Sequence, residues 1–210
     1  MFIFKVALAA DTAASVFLLG TMAGQGEVGY FNAADRLSTA IVGLFTPATQ
    51  ALMPYLFRRT AEEGHDAMFL VSRHILIVLV LTGFLFMIGT RLSATPLILV
   101  IAGSQYAPSI HVLQVLAFTF PLVAMNQALG FYVLLPLRLD FNFLAGSILA
   151  DCINVGLTYL LAPTFGALGL AFSRLAGGTV TMITFSVILF KKGYLKKLLR
   201  RGPISQMGSA

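Results

Sequence analysis

Residues 29–59 read GYFNAADRLSTAIVGLFTPATQALMPYLFRR. About 20 apolar residues suffice to cross the hydrocarbon of a bilayer as a helix, so this stretch has length to spare. It nevertheless carries Asn32, Asp35, Arg36 and Gln50. At helical spacing Asn32, Arg36, Thr39, Gly43, Thr46, Pro47, Gln50 and Pro54 share about a third of the circumference, and Phe31, Leu37, Ile41, Leu44 and Leu52 fall outside it. One face suits water or a polar ligand and the other suits lipid, as in a helix that walls a cavity inside a membrane.

The rest of the chain reads the same way. Hydrophobic residues make up 58% of the 210 positions and charged residues only 10%, where a soluble domain carries about a quarter. With a mean hydropathy of +0.90, the expected fold is an all-α integral membrane protein. The net charge of +6 is no signature of nucleic acid here, because Lys191, Lys192, Lys196, Lys197, Arg200 and Arg201 follow the last apolar run. They predict a basic tail over 191–210 that lies on the cytoplasmic membrane surface against anionic lipids.

Six spans are expected within 1–190: residues 2–23, 29–59, 68–89, 110–135, 141–162 and 167–190. Asp11 interrupts the first, and a carboxylate there speaks against a cleaved signal peptide. Residues 24–27 read as a tight turn. The piece 96–102 is too short to cross and is expected to lie in the interface or fold back. Lys5, Arg58, Arg59, Arg138 and the tail then share one side, with Arg91 on the other, which places both termini in the cytoplasm.

Charges at membrane depth need partners or a function. Asp35 beside Arg36, or Asp151 with Arg174, could pair structurally. A functional reading rests on periodicity: Ser147, Asp151, Asn154 and Thr158 form a polar stripe on the fifth span, and Arg174, Gly177, Gly178 and Thr181 one on the sixth. Guanidinium groups suit bidentate binding of phosphate or pyrophosphate, so Arg36 and Arg174, with Asn32, Gln50 and Asn154, are candidate substrate contacts. Asp11 and Asp151, deep in their spans, are candidate ion-coupling groups. Pro47, Pro54 and Pro121 each remove a backbone hydrogen bond and are candidate hinges; a static kink is the alternative. HExxH, GxSxG and CxxC are absent, Cys152 stands alone, and His65, His74 and His111 have no ligand-like spacing, so neither an enzyme nor a metal or other cofactor is expected.

VGYFNAADRL, the proline-punctuated run to ALMP, PLILVIAGSQYAPSIHVLQVLAF and GALGLAFSRL resemble the carboxy-terminal half of the polysaccharide biosynthesis flippases, which include O-antigen and lipid-linked oligosaccharide exporters of the multidrug/oligosaccharidyl-lipid/polysaccharide superfamily. The resemblance implies a carrier in the cytoplasmic membrane of a prokaryote. It would have two six-helix halves around a central cavity and move an isoprenoid-pyrophosphate-linked glycan by alternating access, with a cation gradient as driving force. On this resemblance Arg36 occupies the basic position of the family's AxRL-like motif. Family members are about twice as long, so the chain reads as one half that pairs with a second half or with itself. A cation-coupled drug antiporter of the same superfamily, with Asp11 and Asp151 as its ion sites, and an inactive membrane remnant are the alternatives.

Overall fold

The computed structural model describes residues 2–44 and 65–194, with side chains assigned throughout 9–44 and 72–194. All regular structure among them is helical. Helix α1 covers Phe2–Ala23, α2 Gln25–Gly43, α3 His65–Ile101, α4 Ser109–Leu116, α5 Thr119–Leu129 and α6 Asp140–Lys191. A short 3₁₀ turn, Ser104–Tyr106, precedes α4, and a π-helical turn, Gly130–Leu134, extends α5. Ser72–Ile101, Ser109–Leu134 and Asp140–Lys191 are long and apolar enough to cross a membrane. Outward surfaces of these spans and of α1 are apolar: Phe17, Leu85, Leu92, Val100, Phe141 and Leu160 are all exposed, as in a protein solvated by lipid. The chain is thus a multi-pass, helical membrane protein.

Helix α6 is two helices in one label. At Gly166 the backbone takes φ 54° and ψ −132°, a conformation open in practice only to glycine, and the chain folds back on itself. The arms 140–165 and 167–191 are each about 25 residues, or about 38 Å, long. They meet closely beside the bend, where a Cβ on Gly169 would come within 2.6 Å of the Leu161 carbonyl oxygen. The turn is pinned from outside by Glu27, whose carboxylate accepts the Ala167 N–H at 2.7 Å and so caps the second arm. Residues 24–27 are therefore not all turn: Gly24 alone (φ 97°) separates α1 from α2, and Glu27 stands in the first turn of α2. Gly166→Ala should lower stability by about 2 kcal/mol, from backbone strain and collision with Glu27, whereas Glu27→Ala should cost about 1 kcal/mol, the worth of a cap. Thermal unfolding in detergent measures both; an unchanged midpoint in Gly166→Ala would remove the bend from the account.

Helix α3 corrects one expectation. Residues 96–102 do not fold back: the helix runs through Pro96 to Ile101, about 55 Å in all. Proline forfeits one backbone hydrogen bond there, but Ala94 and Ile98 on either side of it are fully buried against Phe31, Leu113 and Leu116, and that packing holds the last turns helical. Arg91 is consequently not in an outer loop but within α3, ten residues before its end.

The expected span 110–135 is helical but broken. Pro121 lies in the first turn of α5, not in a helix interior, so its missing N–H costs nothing within that helix. The Ala117 carbonyl accepts the Phe120 N–H at 3.1 Å instead, and the Leu116 carbonyl takes the Thr119 hydroxyl at 2.6 Å. Helix α3 passes hard against this break, since a Cβ on Gly83 would lie 2.9 Å from Pro121 Cα.

Packing follows these contacts. α1 lies along α6, α3 along α5, and α2 against α4 and α6. Two apolar clusters result. One gathers Leu19, Phe31, Ile98, Leu113, Leu116 and Leu170; the other gathers Leu79, Leu129, Tyr132, Leu134, Phe143 and Phe185. Along both arms of α6 the polar residues fall between the clusters.

Candidate functional site

That polar layer is built by spacing. On α1, Asp11 and Ser15 are one turn apart; on the first arm of α6, Asp151, Asn154 and Thr158 are; on α2, Phe31 and Asp35 are. Ser147, Asn154 and Thr158 are all buried, so the stripe read from sequence faces the bundle. The second arm comes close because Gly177 has no side chain: a Cβ there would sit 3.2 Å from Asn154 Cβ. Gly178 likewise leaves its carbonyl open to Asn126, which donates to it at 3.0 Å.

Asn154 is the centre. Its Nδ2 donates to both carboxylate oxygens of Asp11, at 2.9 and 3.1 Å, and to Ser15 Oγ at 3.4 Å. Its backbone carbonyl accepts the Thr158 hydroxyl at 2.8 Å, yet its side-chain Oδ1 is buried without a hydrogen-bond partner. Asp151 lies within electrostatic range of Asp11, and so does Arg174.

Arg174 pairs with Asp35, to whose Oδ1 its Nη1 donates, and its guanidinium lies 5.0 Å over the Phe31 ring. Neither pairing considered from the sequence forms: Arg174 does not take Asp151, and Asp35 does not serve its neighbour Arg36. The reason is directional, since adjacent helical residues point about 100° apart and Asp35 shares the inward face with Phe31 and Ser38. Phe31, expected to face lipid, is fully buried beneath Arg174. Arg36 points away from the packed face and is exposed with Thr39, Gly43 and Leu44, and among the described residues it enters no ion pair; Asn32 is half-buried.

The structure therefore brings together Asp11, Asp151, Asn154 and Arg174 from the sequence-derived candidates and adds Ser15 and Asp35. Arg36 stands apart from them on the outer face of α2. Gln50, Pro47 and Pro54, and the tail beyond Tyr194, lie outside the described residues. The layer thus holds one ion pair, Asp35 with Arg174, and two further carboxylates, Asp11 on the Asn154 amide and Asp151 within electrostatic range of Asp11. Among the described residues no group of His, Cys, Asp or Glu is arranged to hold a metal ion through three or more ligands.

Comparison with known proteins finds sequence similarity to one family. The model of the family described as "Polysaccharide biosynthesis protein" matches residues 1–60, which contain α1, α2, Asp11 and Asp35. A protein of Escherichia coli (strain K12) named "Putative O-antigen transporter" is 27% identical over 190 residues, 90% of this chain. The match covers 45% of that relative, so the chain spans about half the relative's length. No solved structure matches the chain. The two matches together support the resemblance read from the sequence, that of a polysaccharide biosynthesis flippase family member.

Proposed function

We propose that the chain is one half of a flippase that carries an isoprenoid-pyrophosphate-linked oligosaccharide across the cytoplasmic membrane by alternating access. The observation that carries this reading is the polar face of α2: Arg36 is exposed, unpaired among the described residues, and placed in a helix whose opposite face is packed. A guanidinium in that position binds a pyrophosphate bidentately once a second half, or a second copy of the chain, closes over it. The 45% coverage of the O-antigen transporter relative fits a half-length partner to a cavity of that kind.

Arg174 has a different role from Arg36. Because Asp35 takes its charge, it anchors the acidic layer and leaves Arg36, Asn32 and Gln50 as the substrate contacts. The layer itself supplies the coupling ion site. Asp11 and Asp151, with the unpartnered Oδ1 of Asn154, offer hard oxygen ligands to a proton or a sodium ion, and an excess of carboxylates at membrane depth calls for such a counter-charge. Alternating occupancy of that site would bias α1 against α6.

Reconstituted into liposomes with a polyprenyl-pyrophosphate-linked glycan in the outer monolayer, the wild-type chain should translocate it. Arg36→Gln should reduce the rate at least tenfold, the worth of one charge-assisted contact. Undiminished translocation in Arg36→Gln would sink the assignment. Chain that is monomeric in mild detergent and also active in liposomes would sink the half-transporter reading.

A further inference from the structure

Arg91 is a charged residue in an expensive place. It lies ten residues before the end of α3, about 15 Å along the helix from Ile101, and is itself exposed, next to Leu92, which is 80% exposed. Among the described residues no carboxylate reaches it. Its guanidinium instead lies 4.7 Å from the centroid of the Phe118 ring. A quadrupole offsets part of the cost of a cation at membrane depth, but a full counter-charge is missing among the described residues.

Phe118 has a second neighbour. It lines a cavity of about 510 Å³ between α3, α5 and the second arm of α6, whose walls include Phe84, Met87, Leu122, Met125 and Phe172. The cavity lies beside the break in the chain's helical path at residues 117–118, with Phe118 and Pro121 in its wall. Its one hydroxyl, Thr179, is spent on the Leu175 carbonyl at 2.8 Å. Water would find no partners in such a lining, so the slot suits hydrocarbon. An apolar slot with an uncompensated guanidinium stacked on a wall residue is complementary to an amphiphile with an anionic head.

We propose that Arg91 and this cavity form a binding site for one anionic phospholipid, its phosphate on the guanidinium and one acyl chain in the slot. The site is distinct from the polar layer at Asn154 and does not depend on the transport reading. Native mass spectrometry of the full chain, released from micelles holding equal palmitoyl-oleoyl phosphatidylglycerol and phosphatidylcholine, tests it. Wild type should retain phosphatidylglycerol in preference by about tenfold, the value of a charge-assisted hydrogen bond. Arg91→Gln should erase the preference, while Arg91→Lys, which keeps the charge, should keep most of it. Leu122→Trp, which fills the slot, should remove retention of phosphatidylglycerol. Equal retention of both lipids by wild type, or a preference that survives Arg91→Gln, would overturn the proposal. Displacement of phosphatidylglycerol by equimolar undecaprenyl phosphate would overturn it in favour of a polyisoprenyl occupant.

Discussion

Arg174→Leu is expected to lower the stability of the folded chain by about 3 kcal/mol, the lower end for breaking a buried ion pair, because both partners keep about a fifth of their side-chain surface exposed. The loss would come less from the missing attraction than from what is left behind. Asp35 would remain beside Phe31, with Asp11 also deprived of the Arg174 charge that acts on it. Removing the carboxylate as well should restore most of the loss: the double variant Asp35→Leu, Arg174→Leu trades the pair for apolar side chains of similar volume in a setting that is already lipid-like, an exchange that is often neutral. A double-variant cycle by thermal unfolding in detergent separates these terms, with an expected coupling of about 2 kcal/mol between neighbours in direct contact. Additive losses would show that the two side chains do not act as a pair.

The pair also marks where reading the sequence stops. Helical periodicity was enough to put Ser147, Asp151, Asn154 and Thr158 on one face, because burial of a stripe depends only on spacing along one helix. It could not say which helix that face meets. Asp35 and Arg174 are 139 residues apart, as are Ser15 and Asn154, and nothing local in either sequence selects the partner. Glu27 was hidden for a related reason. In a Gly-rich stretch it reads as a turn residue, and its part in capping the second arm of α6 follows from the bend at Gly166, 139 residues on. The same limit produced the error at residues 96–102. Proline and a short apolar run argue locally for a break, whereas Ala94 and Ile98, buried by α2 and α4, keep α3 continuous. On α2, within the described residues, Arg36 and Thr39 lie on the exposed side, whereas Phe31, placed by spacing on the lipid face, is packed. The chain buries Phe31, Ala34 and Ser38, a stripe too small and mixed to stand out in hydropathy, and exposes the polar face that carries Arg36.

The acidic layer gives the second large effect. Asn154 holds Asp11, Asp151 lies within electrostatic range of Asp11, and the pairing of Arg174 with Asp35 leaves Asp11 and Asp151 as the carboxylates without an ion-pair partner among the described residues. The excess makes the layer, and not the arginines, the candidate seat of coupling. Asp11→Asn and Asp151→Asn are nearly isosteric, so they should leave the fold intact while removing the charge that draws a cation. In the Asp11 variant the Asn154 amide would keep one of the two oxygen acceptors it now has at 2.9 and 3.1 Å.

The most direct test is translocation of a polyprenyl-pyrophosphate-linked glycan by the reconstituted chain, followed with and without an imposed sodium or proton gradient, in wild type and in the two asparagine variants. A carrier coupled through this layer should be accelerated by one of the two gradients in wild type, and each variant should lose that acceleration, with a rate at least tenfold lower, comparable to removing a charged contact. Wild-type translocation indifferent to both gradients, or a gradient response retained in both variants, would contradict the account.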